Sequence, residues 1–424
     1  MNSIKQLISK LLPRSLYSTL LKPYHYAWAL GSAIFYGFPA GKLTIIGVTG
    51  TKGKSSVSEM LTAILTEAGH KTAVAGTIRF AWGEESRPNL FKMTMPGRGF
   101  IQKFLRVALE KRCTHAVLEI TSEATLNYRH LFLGMNALIF TNLQKEHIEA
   151  HGSFAKYFRA KFRIAEQLAS SSKRPRAIIG NSESTGASAF LAVPVEERIP
   201  FKLADAADVE ERASGVAFTY KGVPFVLNQP GNFTVLNALA ATKAAEFLGI
   251  PVETSAKALA ALKRIPGRAE RVERGQKFAA IVDYAHTPDS LQALYDAFPA
   301  RKICVLGNTG GGRDTWKRPE MGAIAEKYCD EIILTNEDPY DESPEKIVNE
   351  MAAGMKEKKP SIIMDRREAI AAALASARPG DAVLITGKGT DPFIMGPGGS
   401  KEAWSDSRVV DEELEKLLNG AANS

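Results

Sequence analysis

"LTIIGVTGTKGKSSVSEMLTAILTEAG" spans residues 43–69, and its reading decides the fold. A short apolar run comes first, then a glycine-rich turn, then apolar residues at helical spacing. Buried strand, tight turn and amphipathic helix form the context that a phosphate-binding loop requires. The usual spelling G-x-x-x-x-G-K-[ST] nevertheless fails, because Val48 stands five positions before Gly53, where that pattern has glycine. Gly47 falls one step too early and Gly50 two steps too late. On the functional reading, Gly50, Thr51, Lys52, Gly53, Lys54, Ser55 and Ser56 form a nucleotide site, with helix-start N–H groups and the helix dipole cradling phosphate oxygens. Lys54 then neutralises the β- and γ-phosphates of ATP, and the Ser55 hydroxyl ligates Mg²⁺. Lys52, across Gly53, is less well placed. The bland alternative is a glycine turn that holds no ligand.

Beyond residue 69 the pattern repeats as strand, loop and helix. The runs 72–76, 115–120, 136–141 and 176–180 are short and apolar, like 43–48, with helical stretches between them. Such alternation predicts a mainly parallel sheet covered on both faces. A second series follows Pro266 at 279–283, 302–306, 331–335, 361–364 and 382–386. The expected fold is therefore α/β: a phosphate-loop ATPase domain over 42–265, then a Rossmann-like domain over 266–424. Two such domains in tandem imply a cleft between them.

At 424 residues, the chain is long enough for two or three such cores. Apolar content of 45% and charged content of 24% are those of a globular protein. The net charge of +8 is spread along the chain without a basic run or aromatic–basic repeat, which argues against a nucleic-acid partner. Cys113, Cys304 and Cys329 are isolated from one another. That spacing argues against a disulfide framework or a cysteine zinc site and fits a reducing cytoplasm. Residues 1–41 differ from the rest. Leu7, Ile8, Leu11, Leu12 and Leu16 recur at helical spacing among Lys5, Lys10, Arg14 and Lys22, and 23–41 carries no formal charge. Either a pair of helices docks on the first domain, or a basic amphipathic helix makes peripheral contact with the inner face of a membrane.

Two further residues fall at strand ends. Glu119 closes "HAVLEI", and His147 follows "FTNL" in "QKEHIEAHG". The carboxyl ends of parallel strands are where ligands bind, and a carboxylate with an imidazole there can hold a second divalent ion. Taken singly, Glu119 also reads as a cap or ion-pair residue, and His147 and His151 as surface loop.

Ten motifs then occur in order: "GVTGTKGKSS", "LEITSEATLNYR", "FTNLQKEHIEAHGSFAKYFRAK", "GNFTVLNALAA", "IPGRAE", "VDYAHTPDSL", "GNTGGGRDTWKRPEMG", "TNEDPYDESP", "GKGTDP" and "WSDSRVV". Over about residues 43–415 the chain resembles the Mur ligases, most of all the MurE type, whose loop is spelled G-x-T-G-T-x-G-K-[ST]. The resemblance implies an ATP- and Mg²⁺-dependent acid–amino-acid ligase that extends a muramyl peptide in peptidoglycan synthesis. A cytoplasmic monomer is expected. It implies that Ser55, Glu119, His147 and Lys161 surround the metals, Lys161 as a carbamate. It places Asn237 at the adenine, Arg268 at the phosphates and Asp283 at the ribose. Thr94, Ser122 and Arg129 match acceptor-binding positions, and Arg313, Asp338, Tyr340, Gly387 and Asp391 fall in the amino-acid motifs.

Several positions depart from the family pattern. Glu146 replaces an aspartate and Glu123 a histidine, while the D-N-P-R motif reads Glu337-Asp338-Pro339-Tyr340. A tyrosine cannot grip a carboxylate bidentately as arginine does, so Tyr340 leans toward lysine or another amino acid rather than diaminopimelate. The G-K-G-H-E motif reads Gly387-Lys388-Gly389-Thr390-Asp391. The separate N-terminal domain that binds the acceptor's uridine diphosphate in the MurE type has no counterpart in the first forty residues, which points to a weakly held nucleotide or a lipid-linked acceptor. Folylpolyglutamate-synthase-like chemistry and a non-catalytic nucleotide-binding subunit are the alternatives.

Overall fold

The computed structural model describes residues 14–97, 99–146, 148–212 and 214–422. Leu7, Ile8, Leu11, Leu12 and His147 lie outside the described residues. The chain forms two compact units. One runs through Leu143 and includes Ala155–Phe201 and Ala240–Pro251, and the other comprises Gln144–Phe154, Lys202–Leu239 and Val252–Ser424.

In the first unit, α1 (Arg14–Phe35) precedes β1 (Thr44–Thr49) and α2 (Lys54–Glu67). Then come β2 (Thr72–Ala75), β3 (Arg79–Trp82), β4 (Glu85–Pro88), α3 (Phe100–Glu110) and β5 (His115–Glu119). β6 (Ala137–Phe140), α4 (Phe154–Ala169), β7 (Ala177–Asn181) and β8 (Glu197–Phe201) follow. The eight strands form one sheet in the order β4-β3-β2-β5-β1-β6-β7-β8. It is parallel from β2 through β8 and antiparallel at β2–β3 and β3–β4. From β1 the chain steps outward to β2, returns to β5, and crosses to β6 on the other side of β1. Strand order therefore reverses at β1, and the crevice beyond the carboxyl ends of β5, β1 and β6 is where such a sheet binds ligands. The middle of β1 is apolar because both faces are covered: Ile45, Ile46 and Val48 are all fully buried.

The five strands expected in this unit are all present. β3, β4 and β8 were not foreseen, and the exposed β4, with sequence "ESRP", offers no apolar run to read. Among the described residues of the N-terminal region, the α-helix α1 runs through Pro23. It docks on the unit: Ser32 and Ala33 are buried, and the Tyr26 ring meets those of Tyr128 and Phe132 at 6.1 Å. Among the described residues no helix is long and apolar enough to cross a membrane.

The second unit contains an antiparallel sheet of β9 (Ala207–Arg212), β10 (Gly215–Tyr220) and β11 (Val223–Leu227). Its main sheet is built from β12 (Glu270–Arg271), β13 (Ala279–Asp283), β14 (Lys302–Leu306), β15 (Glu331–Leu334), β16 (Ser361–Ile362) and β17 (Ala382–Thr386). The order is β12-β13-β17-β14-β15-β16, parallel except at β12. Alternate residues feed separate cores. Ile281, Cys304, Leu306 and Leu384 pack with Leu291, Met321 and Met351 on one face. Val282, Val305, Val383 and Ile385 pack with Ile370, Val410 and Leu414 on the other. Two covered faces explain the uninterrupted apolar runs, each fully buried Val, Leu or Ile contributing about 1.5–3 kcal/mol.

One expectation about the cysteines is corrected here. Cys304 and Cys329 are disulfide-bonded, with Cα atoms 6.1 Å apart across a sequence separation of 25. The strand–helix–strand crossover brings them together, because Asp330 N–H bonds to Lys302 O and so returns the chain to the side of β14. Spacing along the chain carries no trace of that return. Cys113 is a buried free thiol.

Candidate active site

Gly50 and Gly53 shape the turn between β1 and α2. Gly53 is the helix N-cap at φ 82°, and Gly50 sits at φ 146°. A Cβ on Gly50 would lie 1.9 Å from Thr141 Oγ1, so the close approach of these two segments requires glycine. Asn142 braces the turn, its carbonyl accepting from Thr51 N–H at 2.9 Å and its Oδ1 from Lys52 N–H at 2.8 Å. Thr141 Oγ1 donates to Lys52 O at 2.6 Å, so Lys52 is tied through its backbone.

Two lysines converge on this loop. Lys54 Nζ donates to Gly50 O at 3.0 Å and Thr51 O at 2.8 Å. Lys161, only 2% exposed on α4, donates to the same Gly50 O at 2.6 Å and lies 4.8 Å from the Tyr157 ring centroid. Tyr157 in turn shares a hydrogen bond with Thr51 Oγ1 at 3.0 Å. On the other side, Ser55 Oγ donates to Glu119 Oε2 at 3.1 Å. Ser56 is buried one residue further along α2.

Glu119 also accepts from Thr77, at 2.9 Å from the backbone N–H and 3.1 Å from the hydroxyl. Thr77 Oγ1 lies 2.8 Å from Thr94 Oγ1. A continuous polar chain thus joins Ser55, Glu119, Thr77 and Thr94. Gly76 makes room for it, since a Cβ there would meet Glu119 Oε1 at 2.1 Å. Sequence reading missed Thr77, Asn142 and Tyr157. Asn142 and Tyr157 stand inside the motif over 140–161 without being singled out there, Thr77 belongs to none of the ten motifs, and folding brings all of them to the loop. Ser122 is buried at the start of the short helix Ser122–Leu126. Arg129 Nη1 donates to Met95 O at 2.7 Å, and burial holds the guanidinium below its usual pKa despite nearby Glu123. The donor set fits a metal–triphosphate, with a hydroxyl and carboxylate in contact and two lysines at the turn. His147 lies outside the described residues, and among those described no cluster of three metal-ligating side chains occurs.

In the second unit, Asn237 is buried on the helix Asn232–Phe247. Arg268 stacks its guanidinium 4.7 Å from the Tyr284 ring centroid. Asp283 caps the end of β13, its two oxygens each 2.6 Å from a backbone N–H, of Ala269 and of Ala285. His286 Nδ1 bonds to Tyr284 O at 2.6 Å and must carry the proton there, while Nε2 faces Glu146 at 2.9 Å.

A polar cluster gathers at the carboxyl ends of β14, β15 and β17. Asp338 Oδ1 accepts from buried Lys388 Nζ and from Met395 N–H, both at 2.8 Å. Lys388 also faces Asp391 Oδ2 at 3.4 Å. A Cβ on Gly387 would meet Glu337 Oε2 at 2.2 Å. Glu337 accepts from Thr309 Oγ1 at 3.0 Å through one oxygen, and its other oxygen has no donor. Burial, with the like charge of Asp338, raises its pKa. Tyr340 adopts φ 52°, and Arg313 lies 4.9 Å from its ring centroid. Reading by motif found Asp338, Tyr340, Gly387, Asp391 and Arg313 but missed the orphaned Glu337 oxygen, which burial alone makes significant.

Residues 48–245 match the Mur ligase middle domain, and residues 267–389 match the Mur ligase, glutamate ligase domain. The chain is 37% identical over 384 residues to a UDP-N-acetylmuramoyl-L-alanyl-D-glutamate–2,6-diaminopimelate ligase of Syntrophomonas wolfei, covering 87% of this chain and 78% of the relative. It is 36% identical over 424 residues to a UDP-N-acetylmuramyl-tripeptide synthetase of Roseiflexus sp., covering 92% and 82%. A solved structure of a UDP-N-acetylmuramoyl-L-alanyl-D-glutamate–2,6-diaminopimelate ligase superposes with a TM-score of 0.61 at 28% identity, covering 89% of this chain and 79% of that one.

Proposed function

The chain belongs to the Mur ligase family, and from that premise we propose that it joins an amino acid to the carboxylate of a muramyl peptide at the expense of ATP. The γ-phosphoryl group passes to the acceptor carboxylate, giving an acyl phosphate and ADP. The amine of the incoming amino acid then attacks the acyl carbon, and phosphate leaves as the amide forms. No protein nucleophile is needed; the residues bind, orient and neutralise charge.

The observation that carries this reading is the polar chain from Ser55 through Glu119 and Thr77 to Thr94. It links the turn suited to phosphate with the segment matching the acceptor positions, so both reacting ends are fixed by one network. Lys54 and Lys161 supply the positive charge. Ser55, Glu119, His147 and Lys161 are the residues that would hold Mg²⁺, which when bound offsets charge on the transferring phosphoryl group. Asn237, Arg268 and Asp283 serve the nucleotide, and Arg313, Asp338, Tyr340, Gly387 and Asp391 the amino acid. The functional domains run over 42–265 and 266–424, and the protein acts as a cytoplasmic monomer.

Lys54→Ala tests the assignment. Because the lysine acts on developing charge, ADP formation with an L-alanyl-D-glutamate acceptor should fall by about 10²-fold or more, with the circular dichroism spectrum unchanged. Turnover near that of the parent protein would reject the site.

We also propose that residues 1–40 bring the ligase to the inner membrane face, on the strength of four interleaved cations and the apolar surface of α1, where Phe35 is 81% exposed. Each cation near an anionic surface adds about 1 kcal/mol. Full-length protein should sediment with anionic liposomes and protein lacking residues 1–38 should not; absence of sedimentation by the full chain removes the proposal.

A further inference from the structure

Two cavities flank α1. The first, of about 490 Å³, lies between Tyr24, Trp28 and Ser32 of α1 and Met93, Gly97 and Arg129 of the segments proposed to hold the acceptor. The second, of about 520 Å³, shares Tyr24, Trp28 and Ser32 and continues along the helix to Gly31, Phe35 and Tyr36. We propose that α1 forms the second half of the acceptor site, and that the acceptor is an amphiphilic carboxylate with its charged end at Arg129 and a hydrocarbon chain along Trp28, Gly31 and Phe35. This rests on the ligase reading above for the location of the reacting carboxylate.

The chemistry of the two linings carries the assignment. Arg129 is partly buried, is fixed by the Met95 carbonyl, and has no carboxylate within ion-pair distance among the described residues. A partly desolvated guanidinium with no carboxylate in ion-pair contact, Glu123 acting on it only from a distance, favours an anionic ligand. Gln102, also in the first lining, is 4% exposed, and its Oε1 has no donor. A ligand hydroxyl or amide N–H would satisfy it. The second lining is different in kind: Tyr24, Ala27, Trp28, Gly31, Ser32, Phe35 and Tyr36 include no charged group. Among the described residues of both linings, Arg129 is the one permanent cation. A diphosphate linker calls for several cations, whereas one carboxylate followed by a hydrocarbon chain matches the sequence of surfaces found.

The wall itself is fixed in place. At Gly99, φ is +77° and a Cβ would stand 2.6 Å from Ser32 Cβ, so α1 packs against this turn more closely than a larger residue allows. Trp28 and Phe35, 42% and 81% exposed, leave an apolar surface uncovered beside that contact.

Calorimetric titration of the full chain with N-acetyl-L-alanyl-D-glutamate and N-lauroyl-L-alanyl-D-glutamate, both below micelle-forming concentration, tests the inference. The probes share their carboxylates and differ only in chain length. Burial of two of the extra methylenes corresponds to roughly tenfold in Kd, so the lauroyl compound should bind at least that much more tightly. Gly31→Trp should erase the difference while leaving N-acetyl binding unchanged. A Cβ on Gly31 meets nothing within 4 Å, and replacing a helical glycine favours the helix, so the variant fills the groove without unfolding it. Equal affinity for the two probes, or a chain preference that survives Gly31→Trp, overturns the inference. Chain-dependent binding without ADP formation from ATP, Mg²⁺ and amines would instead reject the ligase reading and leave the binding site standing.

Discussion

At the scale of single residues, the proposed site depends on cations held against backbone oxygens. Lys54 and Lys161 both donate to Gly50 O, so one carbonyl organises two positive charges at the turn. Lys161 is nearly inaccessible, and its ammonium meets the Gly50 carbonyl and the face of the Tyr157 ring. Conversion to a carbamate would exchange that cation for an anion facing Lys54 and the metal ligands. If it is carbamylated, Lys161→Ala should lower kcat by about 10²-fold or more, comparable to losing an electrostatic catalytic group. Bicarbonate should not restore activity, while short carboxylic acids should partly restore it by occupying the vacated space. An intact mass without the added carbon dioxide, together with wild-type turnover in the variant, would dismiss the modification.

At the scale of elements, two buried histidines tune the stability of the first unit. His115 on β5 and His130 beyond the helix Ser122–Leu126 are each lowered to about 4, chiefly by burial, with His70 and Arg163 as the respective adjoining groups. Their unfolded values lie near 6.5, so between about 4 and 6.5 the unfolded chain binds more protons than the folded one. Stability is therefore complete above about 6.5 and is lost as the pH falls toward 4. His130, the more deeply buried of the two rings, contributes the larger part of this loss. Thermal melts across this range should show a falling Tm, and His130→Leu should flatten part of the slope. A Tm that holds steady down to pH 4 would show that these rings are not buried neutral.

At the scale of the whole molecule, the open question is which amine the ligase accepts. A relative named as a diaminopimelate ligase is 37% identical to this chain, yet Tyr340 stands where the resemblance calls for a carboxylate-gripping arginine. In the structure the Tyr340 ring lies against Arg313, which orders that guanidinium rather than replacing it. Lysine, with one carboxylate, should therefore give a higher kcat/KM than diaminopimelate, by roughly tenfold for one lost charged hydrogen-bond pair. A clear diaminopimelate preference in side-by-side kinetics would overturn this reading.

By itself the sequence determined both parallel sheets, the phosphate-type turn and its lysines. Apolar runs such as 44–49 and 382–386 report a strand covered on two faces, and ordered motifs report the family. Those signals are local, set by backbone periodicity and by glycines that close contacts require. Tertiary structure alone decided the rest. Thr77 reaches Glu119 across 42 residues, Asn142 braces a turn 90 residues away, and Cys329 meets Cys304 only after a crossover. The antiparallel edge strands β4 and β9 took shape without a two-faced apolar run, because exposed edge strands need none. Hydrogen bonds between distant segments leave no periodic mark on a sequence, since their partners are chosen by topology and burial rather than by spacing along the chain.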